Sequence, residues 1–434
     1  MLEKRFTLAA RHTDLRTEVA AGFTTFMTMA YILFVNPSIL SNIPGLEHSV
    51  SALAAATALT AAIPTLLMAL LTNTPYALAP GMGLNGVLTF DVCLQHHIPW
   101  QTAMGVVVIE GAIIAVLALT RAREAIMNAI PMGLKRAIAV GIGLFITLLG
   151  MVNAGLVKAN TADAPLTYGS FHHKEVLVAS IGLALTLLFV AFRWRAALLL
   201  GILCTTIVAL FTKVAHLPPA HQLLQLPQFT TLGRADVLGA LRPALWSTIL
   251  AFVMSDFFDA MGTILGVGQQ ANLVDAEGRL PRLREILFVD GFAALWGGFC
   301  GASSATTYIE SASGVAVGGR TGLTSLVVGL LFLLALFFSP LVTIVPAQAT
   351  APALIIVGFL MLSSVRDIEF HRLEEGFPAF ITIVTIPFTY SIARGIGFGF
   401  LSYLLVMLAQ RRWREINPLL VLVSVLFVLS FWLG

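Results

Sequence analysis

Long apolar runs separated by short polar stretches dominate the chain. Most runs approach the length of a membrane-spanning helix, which needs about 20 apolar residues. They cover residues 17–40, 51–71, 100–119, 134–151, 176–192 and 196–214, and then 241–267, 286–301, 323–345, 349–364, 377–392, 395–409 and 419–433. The pattern therefore predicts an all-α polytopic membrane protein with roughly twelve to fourteen spans.

Composition and charge support this prediction. Hydrophobic residues make up 58% of the chain and charged residues only 11%, whereas a soluble domain carries about 25% charged residues. The spans leave no room for a soluble catalytic domain. The net charge of +3 is small and collects in short loops, which indicates membrane topology rather than nucleic-acid binding.

Two stretches interrupt the apolar pattern at membrane depth. One reads NTPYALAPGMGLN (73–85), and the other reads ASSATTYIESASGVAVGGRTG (302–322). In the second, residues 305–309 favour an extended strand, and the small residues after Glu310 favour a short helix. Non-helical backbone in a bilayer is tolerated only where protein buries it or where it lines a cavity. An intramembrane carboxylate at such a break indicates a functional site, so Glu310 is predicted to form half of a substrate site.

The layout of the chain suggests two similar halves. Residues 1–16 are basic and amphipathic and are predicted to lie on the cytoplasmic surface. We expect a first repeat over 17–214, a proline-rich linker over 215–240 and a second repeat over 241–434.

Polar residues occupy corresponding positions in the two halves. Asp259 lies 223 residues after Asn36, and Glu310 lies 225 residues after Asn85. Paired interruptions at corresponding positions of two halves point to the midplane site of a transporter.

Several residues near the breaks are candidates for this site. Asp259 ranks first among those outside the broken stretch, because Gly262 and Thr263 leave room for a ligand one helical turn later. Asp256 is the alternative on nearly the same face. Removal from water favours the neutral form of a carboxylate, which makes Asp259 and Glu310 candidate proton carriers. Weaker candidates lie at the breaks themselves: Asn36, Met82, Gly83, Asn85 and Ile309.

Other polar residues carry less information. Glu110 is an intramembrane carboxylate without a neighbouring break, so a helix-bonding role and a cavity role both stay open. Asp290 lies near the start of its span and could face the cytoplasm or pair inside the protein. Three scattered cysteines have no metal spacing and are expected to be packing residues. We find no nucleophile elbow, phosphate loop or zinc pattern, so the sequence predicts no enzyme activity, no cofactor and no metal.

Basic residues predict the orientation of most spans. They fall on one side, which the positive-inside rule assigns to the cytoplasm with the N-terminus: Lys4, Arg5, Arg11, Arg16, Arg121, Arg123, Lys135, Arg136, Arg193, Arg195, Arg279, Arg282, Arg284 and Arg320. The C-terminal end fits less well. The runs 377–392, 395–409 and 419–433, counted separately, bring the apolar pieces to fifteen. Either one of them is a half-span or the charge rule fails there.

Four motifs in order resemble a known family. The runs AGFTTFMTMAYILFVNPSIL (21–40), ALAPGMGLN (77–85), FFDAMGTILGV (257–267) and TTYIESASGVAVGGRTGLT (306–324) are similar to the AzgA-like purine branch of the nucleobase–ascorbate transporters. These are also called nucleobase–cation symporters of the second family. The similarity covers essentially the whole chain and, within the branch, is greatest to bacterial adenine permeases.

The resemblance implies a fold and a function. Its members have about fourteen spans in two inverted seven-span repeats, with a short strand and a half-helix in spans 3 and 10. Spans 1–4 and 8–11 form a core domain, and spans 5–7 and 12–14 form a gate domain. Members import nucleobases with protons across the cell (inner) membrane and often form homodimers. The partners implied for this chain are therefore a purine base, a proton, the lipid bilayer and a second copy.

The family also implies roles for two residues. Asp259 and Glu310 occupy the motif positions of the two carboxylates that bind the base. Some relatives carry glutamate in place of Asp259, and the shorter side chain here leaves room for a purine. Adenine is the favoured substrate, and guanine or hypoxanthine is the alternative.

Rival functions need different residues. An anion exchanger of the sulfate type shares the inverted-repeat layout, but competing carboxylates at its site argue against it. A membrane-embedded enzyme would need a nucleophile–base pair or a metal cluster. A passive channel would transport without regard to the proton gradient.

Overall fold

A computed structural model describes residues 5–120, 130–159, 166–217, 226–273 and 280–433, and these are predominantly helical. The first-half helices are α1 (Leu15–Met29), α2 (Ile32–Leu40), α3 (Val50–Thr72), α4 (Met82–Gly86) with a π-helical extension (Val87–Gln95), α5 (Trp100–Leu119), α6 (Met132–Asn153), α7 (Lys174–Ala191) and α8 (Ala197–Phe211). Between α6 and α7, strand β2 (Val157–Ala159) pairs antiparallel with strand β3 (Leu166–Tyr168).

The helices after residue 230 complete the fold. They are α9 (Val237–Ala240), α10 (Trp246–Gln270), α11 (Leu283–Cys300), α12 (Ser311–Val317), α13 (Gly322–Ala335), α14 (Ala347–Met361), α15 (Leu373–Thr389), α16 (Ile392–Ala409) and α17 (Pro418–Leu433). Among the described residues, nine helical segments are long and apolar enough to cross a membrane. With the shorter apolar helices and the two broken segments, this is a multi-pass membrane fold of about fourteen spans.

The two broken segments meet in a small antiparallel sheet. Strand β1 (Leu78–Pro80) pairs with strand β4 (Ala305–Thr307), and Ala79 lies opposite Thr306. All six residues are buried, so the ladder satisfies backbone groups that a lipid environment would leave unpaired. Each strand leads into a short helix, α4 or α12. The predicted strands and half-helices are therefore confirmed.

A glycine explains the break before β4. Helix α11 ends at Cys300, and the next residue, Gly301, has a φ of +78°, which is in the left-handed region. A Cβ there would meet Thr231, so both the turn and the space require glycine. The chain then enters β4 instead of continuing the helix.

The helices form two packed groups. The first group comprises α1–α5 with the π-helical extension and α10–α13, and the second comprises α6–α8 and α14–α16. Small residues allow close approach within each group. A Cβ at Gly111 of α5 would collide with the backbone of α11, and a Cβ at Gly358 of α14 would collide with Thr147 and the backbone of α6.

The last three apolar segments form three separate helices, α15, α16 and α17. Arg412 Nη1 lies 2.8 Å from Glu374 Oε1, so the end of α16 meets the start of α15 and the two form a hairpin. Helix α17 is a further apolar helix of 16 residues, about 24 Å long at 1.5 Å per residue. It packs on α16 through Phe427, whose ring centroid lies 6.1 Å from that of Phe400. The fifteenth apolar piece is thus a distinct short helix.

The predicted linker over 215–240 is described in part, because 218–225 lie outside the described residues. Its second part packs against the first group of helices. The Thr231 hydroxyl donates to the Cys300 carbonyl at 2.7 Å, and the backbone N–H of Asp236 donates to the Gln101 carbonyl at 2.8 Å. The boundary between the two halves stays a prediction.

Candidate substrate site at the paired strands

A cavity of about 130 Å³ lies where the paired strands face the second group of helices. The first group contributes one wall, from the break between α1 and α2, the start of α4, the middle of α10 and the stretch from β4 to α12. The opposite wall comes from α6 and α14 and is apolar: Ile142, Ile146, Val357 and Met361. An engineered cavity of about 150 Å³ holds benzene, so this space is of the right size for a small planar ring.

Glu310 stands between β4 and α12, immediately before the first residue of that helix. Its Oε1 accepts a hydrogen bond of 2.7 Å from the hydroxyl of Tyr31. Tyr31 is fully buried at the short interruption between α1 and α2, inside the span predicted over 17–40, which the structure contains as one segment over Leu15–Leu40. The hydrogen bond restricts the orientation of the carboxylate.

Asp259 lies across the cavity on α10 and is exposed to open space. A Cβ built at Gly262 or at Gly266 would meet no atom within 4 Å. Asp259, Gly262, Gly266 and Gln270 follow one another at helical spacing, and all four are exposed. An open stripe therefore runs along α10 from the cavity to the C-terminal end of that helix.

The start of α4 forms the floor beside β1. Met82 and Gly83 both line the cavity. A Cβ at Gly83 would collide with Ile142 of the second group, so the glycine allows the two groups to approach closely. The first N–H groups of a helix have no intrahelical acceptor, and those of α4 lie next to the cavity.

The structure brings six of the seven predicted substrate-binding residues together. Lining the cavity are Glu310, Asp259, Met82, Gly83, Thr263 and Ile309. Ile309 is 57% exposed, which places it at the open side.

Asn36 is the exception, because it does not line the cavity. It is completely buried and donates to the Thr57 hydroxyl at 2.8 Å and to the Ala302 carbonyl at 3.1 Å. It also accepts a hydrogen bond of 2.5 Å from Asn85. A direct contact between Asn36 and a ligand does not fit this position. Instead Asn36 joins α2, α3, α4 and the turn before β4, which supports the broken segments from behind.

Sequence reasoning missed two tyrosines at the site. Tyr31 lies within the motif run 21–40, but an aromatic residue in an apolar helix usually indicates packing. Tyr308 follows β4, and its hydroxyl donates to the Pro80 carbonyl at 2.5 Å, so it locks the two strands together. The apolar residues of the opposite wall could not be predicted from the sequence, because their residue types are the same as those at ordinary lipid-facing or core positions.

Comparison with known proteins places the chain in a family. Residues 16–398 match the sequence profile of a family described as a permease family. The chain belongs to this permease family. It is therefore a permease rather than an enzyme, and the resemblance seen in the four motifs is confirmed.

Alignments with individual relatives extend over almost the whole length of the permease. It is 41% identical to the adenine permease AdeP of Escherichia coli (strain K12), over 99% of this chain and 96% of that protein. It is 39% identical to the guanine/hypoxanthine permease PbuO of Bacillus subtilis (strain 168), over 99% of this chain and 100% of that protein.

A solved structure shares the fold of the permease. The transmembrane domain of the cyanobacterial bicarbonate transporter BicA matches with a TM-score of 0.64 at 15% identity, over 89% of this chain and 97% of that chain. At this identity the likeness concerns the fold alone, which confirms the two-group architecture expected for core and gate domains.

Proposed function

We propose that this permease imports a purine base together with a proton and that adenine is the favoured substrate. The observation that carries the proposal is the pair of carboxylates, Glu310 and Asp259, on the wall of a cavity formed by two paired half-helix segments. The 41% identity to the adenine permease AdeP across 99% of the chain supports the substrate class.

The chemistry of the cavity suits a purine. A purine edge presents ring or amino N–H donors beside acceptor nitrogens, and a carboxylate or a carboxylic acid can match both in one plane. Glu310, oriented by Tyr31, anchors the base in this account. Asp259 binds the base or carries the coupling proton. The apolar wall around Ile142 and Val357 covers the ring faces.

The two helix groups provide the transport movement. In this proposal the first group acts as the core that carries the base, and the second acts as the gate. The core slides or rocks against the apolar wall in an elevator or rocking type of alternating access. With the N-terminus in the cytoplasm, the open stripe on α10 leads inwards, so the present conformation would be the inward-open one. The inner-membrane location and the homodimer stay predictions from the family.

Guanine or hypoxanthine is the second candidate substrate, because the identity to PbuO is 39%. A difference of two percentage points in sequence identity does not decide between the substrate of PbuO and that of AdeP. An anion exchanger of the same fold is disfavoured, since an anion would face both Glu310 and Asp259 without a compensating cation in the cavity lining.

Uptake of labelled adenine into cells lacking their own purine carriers tests the proposal. Unlabelled guanine, hypoxanthine and uracil serve as competitors, and a protonophore tests the driving force. We expect accumulation that only adenine inhibits and that the protonophore abolishes. Stronger competition by guanine or hypoxanthine would move the substrate to the second candidate, and uptake that ignores the protonophore would contradict symport. If no base accumulates although the protein is folded in the membrane, the proposed function is wrong.

A further inference from the structure

Three buried carboxylates cluster around strand β4 and Ser304, the residue before it. They are Glu110 of α5, Asp256 of α10 and Asp290 of α11, and each is at most 1% exposed. Glu110 and Asp256 lie beside each other, and Asp290 is close enough to interact electrostatically with both. Three helices of the first group thus direct acidic side chains into one buried cluster.

The three carboxylates differ in the donors they meet. Asp290 Oδ1 accepts from the backbone N–H of Thr307 at 2.8 Å, from its hydroxyl at 2.7 Å and from the Thr306 hydroxyl at 3.4 Å. Glu110 Oε1 accepts one hydrogen bond, from the Ser304 hydroxyl at 3.1 Å. Hydrogen bonds to a charged form stabilise it, so Asp290 is the member best suited to be an anion.

The remaining carboxylate oxygens have no donor among the described residues. Both oxygens of Asp256, Oε2 of Glu110 and Oδ2 of Asp290 are buried and unpartnered. Thr306 lies near Asp256, but its hydroxyl forms its hydrogen bond with Asp290. Buried polar atoms without a partner cost free energy, which a proton shared between Glu110 and Asp256 would relieve.

No described positive group neutralises these acids. The ion pairs of the described residues lie elsewhere on the chain, and the described His, Cys, Asp and Glu side chains include no group able to hold a metal ion. Several adjacent anions in a dry interior are strongly unfavourable. The cluster must therefore hold protons. A fourth titratable group, Asp259, faces the cluster and interacts electrostatically with Asp256 and Asp290.

We propose that Glu110 and Asp256 share the coupling proton, with Glu110 as its inner holder and Asp256 as the link to the cavity. Asp256 lines the cavity and lies three residues before Asp259 on α10. A proton arriving at Asp259 therefore reaches Glu110 through one intermediate carboxylate. Chains of intramembrane acids serve as proton relays in pumps and transporters. The inference rests on the proposed function, since it assumes proton-driven purine uptake.

The Glu110→Gln variant in proteoliposomes tests this inference. Glutamine keeps the shape and mimics the protonated acid, but it cannot release the proton. Adenine accumulation driven by an imposed pH gradient should fall about 100-fold, a typical effect of losing an acid–base group. Adenine exchange without a gradient needs no net proton movement and should persist, because Glu110 does not line the cavity. Glu110→Asp should restore accumulation with a shifted pH profile.

The outcomes separate the two proposals. If the wild type transports no purine, the proposed function fails. If the wild type accumulates adenine and Glu110→Gln does so equally well, only the proton site is wrong. If Glu110→Gln loses adenine exchange as well, the Glu110→Asp variant is the deciding test. A pH profile of adenine accumulation by Glu110→Asp that is identical to that of the wild type overturns the inference. Wild-type accumulation driven by sodium instead of protons would also overturn it.

Discussion

Replacing Tyr31 by phenylalanine removes one oxygen atom from the edge of the candidate site. The lost hydroxyl is the donor that lies 2.7 Å from Glu310 Oε1. The ring is fully buried, so phenylalanine fits the same space and the change concerns the hydrogen bond. The expected result is weaker binding of the base, because Glu310 loses the group that orients it.

The size of the effect follows from the burial of both partners. A hydrogen bond to a charged group contributes about 1.5–3 kcal/mol. Tyr31 is completely buried but Glu310 is partly open to the cavity, so the lower end of this range applies. Since 1.4 kcal/mol corresponds to a factor of about 10 in an equilibrium constant, the Kd for the base should rise roughly tenfold.

The assay compares Tyr31→Phe with a matched control, Tyr76→Phe. Tyr76 is equally buried, and its hydroxyl donates to the Ile264 carbonyl at 2.8 Å, away from the cavity. Base binding is measured on purified, folded protein, so a loss of folding does not enter the Kd. Tyr31→Phe should weaken binding and Tyr76→Phe should not. If both variants bind like the wild type, Tyr31 does not orient Glu310 for the base and the reasoning is refuted.

Three further predictions concern stability. Asn36→Ala loses the hydrogen bonds that join α2 to α3, α4 and the turn before β4. The variant should lose about 1–3 kcal/mol of stability, which a lower Tm would show. An unchanged Tm would contradict the supporting role of Asn36. Gly111→Ala pushes a Cβ into the backbone of α11 and should cost about 1–3 kcal/mol, whereas Gly262→Ala, which meets open space, should not lower the Tm. The hydrogen bond to Asp91 raises the pKa of His96, so the folded state binds the proton more tightly. The Tm advantage of the wild type over His96→Gln should therefore be complete below the ordinary histidine pKa of about 6.5 and disappear as the pH rises through the raised value; an advantage independent of pH would contradict it.

Much of the fold was accessible from the sequence. Apolar runs of span length carry a local signal, and so do the breaks near Pro80 and Glu310, where glycines and polar residues cluster within a few positions. The pairing of β1 with β4 joins residues more than 200 positions apart, and no local pattern encodes such a contact. The short interruption between α1 and α2 falls on Ala30 and Tyr31, and neither residue type gives a local signal for it.

The site was only partly accessible for the same reason. Carboxylates such as Asp259 are conspicuous in an apolar chain, and the resemblance of the motifs to a known family predicts a role for them. Asn36 was equally conspicuous, but its partners come from three other elements and show that it supports the fold. Ile142 and Met361 form the opposite wall through tertiary packing alone, so their part in the site becomes visible only in three dimensions.

Adenine binding to the purified permease tests the central claim most directly. Calorimetric titration would compare the wild type, Glu310→Gln and a control, Glu47→Gln, in which an exposed carboxylate outside the cavity undergoes the same change. The account predicts that the wild type and Glu47→Gln bind adenine and that Glu310→Gln does not. Binding by Glu310→Gln as tight as that of the wild type would contradict the site. A folded wild type that binds no purine base would contradict the function.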